Sequence, residues 1–128
     1  MDIEINVPVG ESGQWAVSLI NGLGLGVVLS AILKKDTVTE VTVIEKSEDV
    51  INLVAPAFLL DKRVEIIHQD AFKYMPPKGE TYDFVWHDIW DDICADNIPE
   101  MTKLHRKYGK IAKWQDSWCK NECKRGRP

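Results

Sequence analysis

The chain has 128 residues, 45% of them hydrophobic and 28% charged, a soluble globular composition with room for one real core but not two generous ones. Its net charge of −4 conceals a polar distribution: residues 1–99 hold 7 basic against 17 acidic side chains, and residues 100–128 hold 9 against 3. Three cysteines, Cys94, Cys119 and Cys123, exclude an evenly paired disulfide scaffold, and MDIEINVPVGE lacks the basic start of a secretory leader, so a reducing cytoplasm is the expected compartment.

The first organised segment runs without charge for nineteen residues, Trp15 to Leu33. That length could span a bilayer, but Ser18, Asn21 and Ser30 interrupt it, and Gly22, Gly24 and Gly26 lack the four-residue spacing of a helix-pairing face. No membrane association is expected. The run divides better into a buried strand AVSLI, a tight turn NGLGLG and a helix VVLSAILKK closed by two lysines. Glycines suit such a turn because they accept positive φ and leave the backbone N–H groups open to a ligand.

VTEVTVIEK predicts a second strand, with Glu45 nineteen residues beyond Gly26, where an acid can accept hydrogen bonds from both ribose hydroxyls of a nucleotide. SEDVINLVAPAFL predicts a helix capped by Ser47, with Glu48 and Asp49 in its first turn. RVEIIHQD is a third strand ending at Asp70, and YDFVWHDIWDD a fourth with Asp88 near its end. Strands alternating with helices favour parallel pairing, and ligands of such sheets bind beyond the strands' carboxyl ends. The glycine turn, Glu45, Asp70 and Asp88 are therefore expected on one rim.

Together, NGLGLG, VTVIEKSEDV, RVEIIHQDAF and YDFVWHDIW resemble, in order and spacing, the class I S-adenosylmethionine-dependent methyltransferases, and within them the branch near spermidine synthase. The resemblance covers about residues 15–92. It implies a Rossmann-like, mostly parallel α/β sheet of about four core strands with helices on both faces. It implies S-adenosylmethionine as cofactor, with Asn21, Gly22, Gly24 and Gly26 against its methionine part, Glu45 on the ribose and Lys46 flanking the adenine. Asp70 and Ala71 would define the adenine end, and Asp88 would adjoin the cofactor's amino group or the acceptor.

Two departures stand out: Ile20 occupies the position where an acid usually precedes the first glycine by two residues, and only about 36 residues follow the fourth strand where the family has three more strands. In an in-line methyl transfer to a nitrogen or oxygen acceptor, Asp88 is the first candidate to orient the acceptor or take its proton, with His87 and Asp91 next. A cofactor-binding but non-catalytic or regulatory protein, and an NAD-binding domain using Glu45 on its ribose, remain alternatives. No metal is expected, because Cys119 and Cys123 have no second ligand pair.

The whole chain reads as a single domain: a cofactor-binding core over residues 15–92 and a basic helical segment over 93–128. In the latter, Met101, Leu104, Tyr108 and Ile111 recur at helical spacing, Gly109 is a possible break, and Trp114 and Trp118 form a second i, i+4 pair. Lys103, Arg106, Lys107 and Lys110, with those tryptophans, could contact nucleic acid. A four-strand sheet would leave its last strand as an edge to be covered by this segment, by the amino-terminal IEINVPV or by a second subunit, and a homodimer is the preferred expectation.

Overall fold

The computed structural model describes residues 16–90, 94–118 and 123. Five strands, β1 (Val17–Asn21), β2 (Glu40–Glu45), β3 (Val64–His68), β4 (Phe84–His87) and β5 (Gln115–Ser117), form one sheet in the order β3-β2-β1-β4-β5. Every neighbouring pair is parallel. They are accompanied by the helices α1 (Val27–Leu33), α2 (Glu48–Val54) and α3 (Ile98–Tyr108).

The placement of the helices follows from right-handed crossovers. The chain steps from β1 to β2 to β3 in one direction through α1 and α2, so both helices lie on one face. It steps from β4 to β5 in the opposite direction, which puts α3 on the other. The first face is filled by Val28, Leu29 and Ile32 of α1 against Ile20, Val41, Val43 and Phe84. The second is filled by Met101, Leu104 and Tyr108 of α3 against Leu19, Ile44 and Val85. Each aliphatic side chain buried this fully contributes roughly 1.5–3 kcal/mol.

Local signals account for most element ends. Ser47 caps α2 as expected, its Oγ accepting the Val50 N–H at 3.2 Å, with Glu48 and Asp49 in the first turn. Pro56 tightens the continuation into a short 3-10 turn, Ala55–Phe58. Helix α3 stops at Tyr108, before Gly109.

The carboxyl-terminal segment departs from the expected pattern. Among the described residues its long helix is α3, after which it supplies a fifth strand where about four were expected. Trp114 and Trp118 flank β5 instead of forming a helical pair. Strand β5 covers the edge of β4, joined by the Val85 N–H to the Trp114 carbonyl at 2.9 Å and the Trp118 N–H to the His87 carbonyl at 2.8 Å. Among the described residues no helix is long and apolar enough to cross a membrane.

Candidate functional site

The carboxyl ends of β1, β2 and β4 meet at a single backbone knot. Gly22 donates its N–H to the Ile44 carbonyl at 2.7 Å, and Asp88 donates its own to the Asn21 carbonyl at 2.7 Å. Gly22 has φ 104°, and a Cβ there would overlap the Asp88 carbonyl oxygen, so both conformation and space demand glycine. Gly26, at φ 81°, opens α1, and a Cβ on it would lie 2.8 Å from the Phe58 ring. Gly24 stands exposed at the tip of the turn.

Glu45 ends β2 beside this knot. Its Oε1 accepts the Leu23 N–H at 2.7 Å and its Oε2 the Ser47 N–H at 2.9 Å. The carboxylate is thereby fixed between the glycine turn and the start of α2, and each oxygen keeps further acceptor capacity. Asp70 follows β3. Its Oδ1 accepts the Phe72 N–H at 2.9 Å, its Oδ2 lies 4.0 Å from Lys46 Nζ, and it starts a turn through its own carbonyl.

A cleft of about 370 Å³ opens between these strand ends. Gly22, Glu45, Lys46, Asp70 and Ala71, all named from the sequence, line it. Ile44, Phe72, Ile89, Trp90 and Glu100 complete the lining and carried no individual signal. The Trp90 indole N–H donates to Glu100 Oε1 at 3.1 Å, joining the segment after β4 to the first turn of α3. Ile44, Ala71, Phe72, Ile89 and Trp90 give the cleft apolar surface, and Glu45, Lys46, Asp70 and Glu100 give it charged groups that can orient a ligand.

The other candidates lie behind or beside the cleft. Asp88 is half-buried under the glycine turn; burial, with a smaller effect from the negative charge of Glu45, raises its pKa to about 6. Asn21 and His87 are fully buried on the α3 face, with Asn21 Nδ2 3.0 Å from His87 Nδ1. Burial lowers the His87 pKa to about 4, against the raising effect of its bond to Gln115. His87 is therefore neutral at physiological pH and walled off from the cleft. Asp91 lies outside the described residues.

On α3, Lys103 and Lys107 fold over the rings of Phe72 and Tyr108, while Arg106, and Lys110 just beyond the helix, are exposed. Trp114 stacks on Phe84 at 5.1 Å and faces Trp86 at 6.4 Å, and Trp118 packs against the α3-face core. Both are half-buried, and their packing contacts favour an architectural part over a stacking surface for bases.

No protein-family model matches the chain. It is 29% identical over 98 residues to a polyamine aminopropyltransferase of Oceanobacillus iheyensis, covering 70% of this chain and 18% of that protein. Among solved structures, the spermidine synthase of Thermotoga maritima superposes with a TM-score of 0.57 at 21% identity, over 76% of this chain and 33% of its own. A candidate RNA methyltransferase of Pyrococcus horikoshii gives 0.60 at 15% identity, over 88% and 53%. The plantazolicin methyltransferase solved with S-adenosylhomocysteine gives 0.57 at 15% identity, over 76% and 34%. The chain thus spans about a fifth of its curated relative and a third to a half of these structures. Parallel sheet, strand order and superposition agree that its fold is that of the class I S-adenosylmethionine-dependent methyltransferases and the spermidine synthases.

Proposed function

We propose that the cleft binds S-adenosylmethionine and that the chain belongs to a methyltransferase acting on a nitrogen or oxygen acceptor. The observation that carries this reading is the Glu45 carboxylate, held by two backbone N–H groups at the end of β2 and facing a cleft of suitable size. Glu45 would accept the ribose hydroxyls. Phe72, Ala71 and Ile44 offer apolar surface to the adenine, with Asp70 at its polar edge. Gly22 lets the methionine part approach the backbone.

Bound S-adenosylmethionine would supply a methyl group on a sulfonium, so that the acceptor's lone pair forms the new bond to carbon as the S–C bond breaks. Most of such a displacement is positioning. Asp88, ionised above pH about 6, would orient the acceptor or take its proton in this reading, and it is also an acid close to Gly22 in a chain where Ile20 replaces the usual one. His87 has no such part in this reading, because its ring is enclosed.

Isothermal titration calorimetry tests the proposal. S-adenosylmethionine or S-adenosylhomocysteine should bind saturably, and Glu45→Ala should weaken binding at least about tenfold, as expected for losing two charge-assisted hydrogen bonds. Absence of binding by the folded protein at millimolar ligand would overturn it, and NAD would be titrated next.

A second reading, aminopropyl transfer from decarboxylated S-adenosylmethionine, is favoured by the likeness to the Oceanobacillus protein and by the acidic cleft lining. There Glu45, Asp70 and Glu100 face a single Lys46. Tighter binding of the decarboxylated compound than of S-adenosylmethionine itself would select this reading.

A further inference from the structure

Helix α3 lines the cleft only through Glu100, yet hydrogen bonds connect it to both of the cleft's far ends. At one end, the buried Tyr108 hydroxyl donates to the Ala71 carbonyl at 2.9 Å. At the other, a chain of bonds starts at Asn21, the residue before Gly22. Asn21 Nδ2 lies 3.0 Å from His87 Nδ1, His87 Nε2 lies 2.9 Å from Gln115 Oε1, and Gln115 Nε2 donates to the α3 carbonyl of His105 at 2.8 Å.

The direction of this chain is forced. An amide nitrogen only donates, so His87 Nδ1 accepts from Asn21. A neutral imidazole then carries its proton on Nε2 and donates it to Gln115 Oε1, which leaves the Gln115 amide N–H for α3. Turning the Gln115 amide over would set its oxygen against the His105 carbonyl oxygen, and it would also leave His87 Nε2 facing a donor. A sequence that buries Asn21, His87 and Tyr108 incurs a desolvation penalty that apolar side chains would avoid, and what it obtains is fixed geometry at both ends of the cleft.

We propose that α3 sets both ends of the cleft through these two hydrogen-bond paths, which adjoin where the Tyr108 ring lies 5.4 Å from that of His87. Tyr108 is a positioning residue for the adenine end through Ala71, and Gln115 with His87 positions the glycine turn through Asn21. This rests on the cofactor orientation given under the proposed function. Tyr108 and Gln115 touch no ligand in this scheme, and each acts through the backbone it holds.

The test compares two ligands and two variants. Adenine probes the adenine end alone, and S-adenosylhomocysteine probes both ends. Tyr108→Phe should weaken both ligands, about three- to tenfold for one lost hydrogen bond. Gln115→Met should weaken S-adenosylhomocysteine by a similar factor and leave adenine within about twofold. Should Gln115→Met not fold, Gln115→Glu keeps an acceptor for His87, loses the donor to α3, and should show the same split.

A merely structural role would weaken both ligands equally in both variants, and that result, or no effect in either, overturns the proposal. Amide chemical shifts of the unliganded protein separate this failure from that of the cofactor reading. Tyr108→Phe should move the Ala71 signal, while Gln115→Met should move Gly22 and spare Ala71. An Ala71 shift or an unmoved Gly22 in Gln115→Met overturns the positioning even if no ligand binds, whereas the expected shifts without binding overturn the cofactor reading alone.

Discussion

His87 and Asp88 are consecutive residues whose environments displace them in opposite directions. His87 points into the α3 face of the sheet, where burial lowers its pKa to about 4; Asp88 has left the strand, and burial together with Glu45 raises its pKa to about 6. Their effects on stability oppose each other across one pH window. The Asp88 contribution is full below its unfolded pKa near 3.8 and is lost as pH rises through about 6. The His87 contribution is full above its unfolded pKa near 6.5 and is lost as pH falls through about 4. Asp88→Asn should therefore be more stable than the parent by about 1 to 2 kcal/mol at pH 7.5, with the advantage gone near pH 4. Urea denaturation at the two pH values measures this, and an advantage independent of pH would contradict it.

At the scale of elements, the glycine turn is the least replaceable part of the site. Gly22→Ala asks a side chain to occupy φ 104° and to displace the Asp88 carbonyl, which requires β1 and β4 to move apart at their carboxyl ends. A loss of about 2 to 4 kcal/mol in stability is expected, together with loss of ligand binding. Gly24→Ala, where a Cβ meets open space, meets only the strain of φ 52°, on the order of 1 kcal/mol, and separates conformation from crowding. Thermal denaturation of the pair checks the difference. Strand β5 is the other decisive element. It gives β4 a hydrogen-bonded neighbour and sets Trp114 flat against Phe84, and it also carries Gln115 to His87.

Two core clusters lie on opposite faces of one sheet, and β1 and β4 contribute side chains to both. Neither face can lose its packing without releasing strands that the other needs. We expect a single cooperative unfolding transition, with tryptophan fluorescence and far-ultraviolet circular dichroism coinciding along a urea titration. Separate midpoints would show instead that the basic carboxyl-terminal quarter unfolds as its own unit. Charge follows the same division of the molecule. Carboxylates line the cleft, while the cations of α3 lie along a helix whose buried side backs the sheet.

Four strands, the turn and the places of the acids at 45, 70 and 88 at or just after strand ends were legible because their signals are local. Val41, Val43 and Ile44 are apolar in a short run bounded by polar residues, and glycines at 22 and 26 mark positive φ whatever they pack against. β5 was not legible, since Gln115, Asp116 and Ser117 have neither alternation nor β-branched side chains, and they become a strand because β4 offers an unpaired edge. Phe72, Trp90 and Glu100 likewise gained their place in the cleft wall only when α3 crossed the sheet's second face. The sequence by itself thus determined where strands end and the chain turns, because period and turn residues act over a few positions. Only the tertiary structure decided that His87 is enclosed while Asp88 is half-buried under the glycine turn, because burial depends on residues brought from far along the chain.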